Sequence, residues 1–144
     1  MHPDPAEASS RSRALLHHRV LSGGLVFIAV VFGVLLYAVT GPLAPGDIIA
    51  WTVASSSLIP ILVGWGWVRG LIPIRPRELS AERYWDQAEV AGKSLLMWVL
   101  WEGAGILSLT GVLLTGHSAP VATGLVAMAL LFFHGPAQLE ARTH

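Results

Sequence analysis

Residues 94–115 read Ser-Leu-Leu-Met-Trp-Val-Leu-Trp-Glu-Gly-Ala-Gly-Ile-Leu-Ser-Leu-Thr-Gly-Val-Leu-Leu-Thr, an apolar run interrupted by one fully charged side chain, Glu102. The run is long enough to cross the hydrocarbon core of a bilayer, which takes roughly 20 residues of α-helix. A carboxylate at that depth costs about 3 kcal/mol on insertion scales, so it is by default neutral, paired or functional. Glu102 is therefore the first candidate for chemistry in this chain.

Three further apolar runs flank it, at residues 20–40, 47–68 and 119–133, separated by short polar breaks. A soluble domain of this length needs a polar outer surface, and with 12% charged and 53% hydrophobic residues this chain lacks one. The expected fold is all-α and polytopic, with four transmembrane helices in an up-down bundle and the third extended into the cytoplasm. The transmembrane domain is expected over residues 14–136, with a disordered N-terminus at 1–13 and a short cytoplasmic tail at 137–144.

Orientation follows from the basic side chains, which set topology when they lie in short loops beside the spans. Arg11, Arg13 and Arg19 precede the first run, Arg69, Arg75, Arg77, Arg83 and Lys93 fill the connection between the second and third, and Arg142 follows the fourth. The loops at 41–46 and 116–119 contain none. Both termini and the central connection are therefore expected in the cytoplasm, with the basic rim against anionic headgroups. The excess of Arg over Lys and the abundance of Ala, Gly, Val and Leu point to a bacterial inner membrane. Nucleic-acid binding is not expected. The first run is longer than a signal-peptide core and no Ala-x-Ala cleavage site follows it, so it reads as a retained helix.

Pro73 and Pro76 forbid a continuous helix through the central connection and end the second span near Gly70. Ser80 then offers an N-cap with Glu82 in the first turn. From Ala81 a single helix of more than about 30 residues is expected to run into the membrane, with Glu89 and Lys93 paired at i,i+4 and Tyr84 and Trp85 at the interface.

Depth arithmetic suggests a partner for Glu102. It lies nine residues past Lys93, or about 13 Å along a helix. Nine residues back from Arg69 reaches Pro60 on the second span. A proline there kinks the helix and frees the carbonyl of Ser56, and freed groups in lipid need internal partners. Ser55, Ser56 and Ser57 occupy the preceding turn, so a protonated Glu102 could donate to a hydroxyl or to that carbonyl. Gly103, Gly105 and the Gly66-x-x-x-Gly70 pair leave room for close approach, favouring an antiparallel pairing of spans two and three.

Arg75-Pro76 in the connection and Glu102-Gly103-Ala104-Gly105-Ile106-Leu107-Ser108 in the next span give residues 47–116 a partial resemblance to the hairpin of the ATP synthase proteolipid (c) subunit. That family joins two spans by a cytoplasmic Arg-Gln-Pro loop and carries an essential carboxylate in a Glu-Ala-x-x-Ile-x-Gly pattern. The resemblance implies Glu102 as a proton or cation carrier. Here the Gln is absent, the loop is longer and Ser108 stands in place of the Gly. The Leu114-Thr115-Gly116 stop after a Glu and small residues also resembles small uncharacterised bacterial four-span membrane proteins, a likeness that implies topology and no activity.

Other chemistry has little support. Cysteine is absent, and no Ser-His-Asp set, His-Glu-x-x-His helix, Gly-x-Ser-x-Gly turn or phosphate loop occurs, so no catalytic residues are assigned and no enzyme is expected. His17, His18 and His134 lie at the cytoplasmic ends of spans one and four and could meet, but read as interfacial anchors; no metal site or cofactor is expected. Trp98 and Trp101 lie within the turn before Glu102 and read as packing residues. The expected function is that of a structural or accessory subunit, with membrane lipids and other membrane subunits or further copies of itself as partners. The alternative is an oligomer that translocates protons or cations through Glu102.

Overall fold

The computed structural model describes residues 9–43 and 46–143. Helix α1 (Ser10–Ile28) continues without a break through a π-helical stretch (Ala29–Leu36) into α2 (Tyr37–Thr40). Helix α3 (Asp47–Leu62) passes similarly through a π-helical stretch (Val63–Val68) into α4 (Arg69–Leu71). Then come α5 (Ala81–Trp85), α6 (Ala88–Thr115), α7 (Ser118–Phe133) and α8 (Pro136–Glu140). No β-strand occurs among the described residues; one isolated bridge joins Arg75 to Thr143.

Three of these helices, Ser10–Val31, Asp47–Leu71 and Ala88–Thr115, are long and apolar enough to cross a membrane. Helix α7 is apolar but has 16 residues, about 24 Å at the α-helical rise. The chain is thus all-helical, with several apolar helices compatible with a membrane location.

Helix α6 is the hub, packing on α7, α3 and α1. Its buried positions recur every turn along one flank, at Val90, Ser94, Met97, Trp98, Trp101, Ala104, Gly105, Ser108, Gly111 and Thr115. That is the spacing of a single helical face. Against α3 the contacts run in opposite order. Lys93 bonds the Leu71 carbonyl, Trp101 that of Ile61, and a side chain on Gly111 would strike Val53. The two helices are therefore antiparallel, as expected. Helix α7 is also antiparallel to α6, through Trp98 on His134, Ser108 on Thr123 and Gly111 on Pro120. Against α1 the order is the same, His18 beside Trp98 and Leu25 beside Gly105, so α1 and α6 are parallel.

Close approach depends on glycines only partly those anticipated. A Cβ on Gly105 would lie 2.7 Å from Leu25, and one on Gly111 2.6 Å from Val53. Gly66, Gly70 and Gly103 face open space instead. Gly116 ends α6 in the left-handed conformation, φ 64°, which glycine adopts without a Cβ penalty.

Several expectations about the central connection and the chain ends are revised. The helix from Ala81 is not continuous: it stops at Trp85, and Gln87 is extended before α6 begins. Ser80 does cap it, accepting from the Arg83 amide at 3.3 Å, and Glu89 pairs with Lys93. The break lets Tyr84 and Trp85 turn inward, where each is 1% exposed, rather than lie in an interfacial belt. The Tyr84 hydroxyl donates to the Pro73 carbonyl at 2.8 Å. Helix α1 begins at Ser10, capped by Ser9, so residues 10–13 are helical; the remainder of the expected disordered tail, 1–8, lies outside the described residues. The C-terminal segment folds as α8, started by Pro136 at its first turn, with Leu139 1% exposed.

Candidate functional site

Adjacent residues on an α-helix point about 100° apart, and that rotation separates Trp101 from Glu102. Trp101 faces α3. Its indole donates to the Ile61 carbonyl at 3.4 Å, just before the helix widens. A widened turn interrupts the regular ladder of backbone bonds, and the indole supplies a donor there. The ring fits because residue 64 is glycine: a Cβ would lie 2.5 Å from Trp101 Nε1. The expected level between the third span and Pro60 is therefore matched, but by the tryptophan.

Glu102 faces α1. A Cβ on Gly24 would lie 3.8 Å from its Oε1, and the side chain is half-buried in the seam between α1 and α6. Among the described residues, no side-chain hydrogen bond or ion pair reaches this carboxyl. Ser57 is fully buried, with Oγ donating to the Val53 carbonyl at 2.8 Å. Ser55 is exposed and Ser56 half-buried. The structure does not bring these serines to Glu102. Pro60 lies within α3, and the helix continues past it to widen at Val63. Gly24 was the missed neighbour; small residues at Ser22, Gly23 and Gly24 were its only sequence signal.

A second polar cluster closes the end of the bundle where α7 meets α8. His134 stands edge-on between Trp65 and Trp101, with ring centroids 5.1 and 5.2 Å away, and Arg69 stacks over Trp65 at 4.5 Å. Trp98 donates to the His134 carbonyl at 2.8 Å. His18 packs on Trp98 at 5.0 Å and, through Nε2, bonds the Leu131 carbonyl at 2.8 Å, so that nitrogen carries the proton. His134 Nδ1 bonds the Leu130 carbonyl in the same sense. Burial pushes the His134 imidazolium down, the Leu130 carbonyl opposes this, and Arg69 and Arg142 add to the lowering. The two histidines thus meet the same tryptophan and are each bonded to backbone. No group of three potential metal ligands occurs among the described residues.

Glu140, which the sequence reading passed over, ties three segments together. It accepts a forked pair of bonds from Arg11 at 2.8 and 3.1 Å and another from Trp85 Nε1 at 2.8 Å. Burial pushes the Glu140 carboxyl up, but the bonds from Arg11 and Trp85, with the charges of Arg11 and Arg75, outweigh it and hold the group below the ordinary carboxylate range. A Pro at the first turn of a short helix ending in Glu was the available signal.

No family model matches the chain, and no curated protein or solved structure matches it.

Proposed function

We propose that this chain is a small integral protein of the bacterial inner membrane, with four spans in an up-down bundle and both termini cytoplasmic, serving as a structural or accessory subunit of a larger membrane assembly. The observation that carries this reading is Glu102. A half-buried acid inside an apolar helix, with no hydrogen-bond partner among the described residues, needs its partner from outside the chain. The groups such a partner would offer are a hydroxyl, an amide or a basic side chain. Alternating helix directions around α6 and the one-sided basic residues are in keeping with the four-span topology, in which the cluster around His134 and Glu140 lies at the cytoplasmic boundary.

The test is the native mass of the complex extracted from its own membrane in mild detergent, with co-purifying subunits identified. A stable mixture with other membrane subunits, weakened at least tenfold by Glu102→Leu and retained by Glu102→Gln, is the expected result. A ring of this chain alone would instead favour the carrier reading, whose supporting observation is that the carboxyl is only half-buried. In that case Glu102→Gln abolishes cation or proton flux into vesicles while leaving the ring intact.

A further inference from the structure

A cavity of about 300 Å³ opens between the start of α1 and the start of α6, with Trp85, whose indole N–H is already committed to Glu140, on its wall. Its lining is graded along the seam. The outer end carries Arg13 and Asp86, while the inner end is closed by Leu95 and Trp98. Because His18 meets Trp98 and the two helices run parallel, the cavity follows the seam from about Ala88 to Trp98, which is about 15 Å of helix. His17 lies on the α1 wall between the two ends, and Ala91 on the α6 wall leaves the groove open.

The charges at the outer end are of both signs and are available. Arg13 and His17 are exposed, and the only side-chain bond from Arg13 among the described residues goes to Ser10 Oγ at 2.8 Å. Asp86 is exposed on the opposite wall and makes no ion pair among the described residues. A guanidinium recognises a phosphate by forked hydrogen bonds, whereas a carboxylate on the other wall repels a purely anionic headgroup and attracts an ammonium. The inner Leu95 and Trp98 suit glycerol ester and acyl methylenes rather than water.

We infer that this cavity holds one aminophospholipid of the phosphatidylethanolamine type, its phosphate on Arg13 and His17, its ammonium on Asp86 and the beginning of its chains along Ala91, Leu95 and Trp98. The inference rests on the membrane placement proposed above, and it is independent of Glu102 and of any partner subunit.

The experiment uses the full chain, delipidated in detergent, with retained lipid counted by native mass spectrometry after addition of dioleoyl phosphatidylethanolamine, phosphatidylcholine or phosphatidylglycerol. The wild type should hold one phosphatidylethanolamine at least tenfold more tightly than either other lipid. Choline cannot donate N–H bonds to Asp86, and phosphatidylglycerol brings no ammonium. Arg13→Ala should weaken all three lipids about tenfold, whereas Asp86→Asn should erase the preference for phosphatidylethanolamine without reducing phosphatidylglycerol. Both positions are exposed, and unchanged helix content by circular dichroism checks the fold. Equal retention of the three lipids, indifference to Arg13→Ala, or competition by soluble phosphoethanolamine at lipid-like concentrations would each overturn the assignment. Sedimentation of the expressed chain with the membrane fraction separately tests the placement, so failure of one is distinguishable from failure of the other.

Discussion

Trp101→Ala is expected to lower the stability of the bundle by about 3–5 kcal/mol, the range for truncating a fully buried tryptophan. The indole is 0% exposed and lies at the crossing of α6 with the widened part of α3, edge-on to His134. Its removal empties the space above Gly64 and leaves the Ile61 carbonyl without the indole donor. At a site with no exposed surface water does not readily replace that donor, which adds to the cost of the cavity. Gly64→Val should destabilise by a similar route, since its side chain would occupy the position of the ring. Thermal or SDS-induced unfolding in mild detergent, followed by far-ultraviolet circular dichroism, measures both. The two substitutions act on one volume, so the double variant should be less destabilised than the sum of the singles. Additive losses would mean that Trp101 and Gly64 do not share the contact described here.

The same pair of residues shows how far the sequence could be read. Counting residues from Lys93 and Arg69 placed the third span opposite the region of Pro60, and Trp101 does bond Ile61. Depth along a helix is a matter of rise per residue and is legible in a single sequence. Direction around the helix is not, because every position of a nearly all-apolar span reads alike. Glu102 therefore turned out beside Gly24 of α1, while Ser57 bonds its own helix. The antiparallel contact of α3 with α6 was legible from two apolar runs that leave one shared basic connection in opposite directions, and so was the Ser80 cap from a local pattern. The break at Asp86 and Gln87 was not, because no glycine or proline marks it. Tertiary contacts made by Tyr84, Trp85 and Glu140 favour the turn there over continued helix.

Those contacts make Glu140→Ala the other substitution of large expected effect. The carboxyl is 12% exposed and serves Trp85 and Arg11 together. Losing it leaves a buried indole N–H without an acceptor, a penalty of about 1–3 kcal/mol. The ion pair adds less, since Arg11 is 41% exposed and screened by solvent. The loss should be local: α8 and the first turn of α1 detach while α6 and its neighbours stay folded. Hydrogen exchange over residues 136–143, or tryptic cleavage after Arg11 and Arg142, reads this directly. Glu140→Gln should be milder, because the amide oxygen still accepts from Trp85. The pH dependence has a definite sign. A carboxyl whose folded pKa is depressed contributes stability that is fully present above its unfolded value, about 4.3, and lost as pH falls through the lower folded value. Wild-type protection of the tail should therefore hold from neutral pH down to about 4 and decline below it, whereas the Glu140→Gln variant should show no such step. A tail equally protected in Glu140→Ala and wild type would show that Leu139 and the backbone bond from Arg75 to Arg142 hold α8 without the carboxylate.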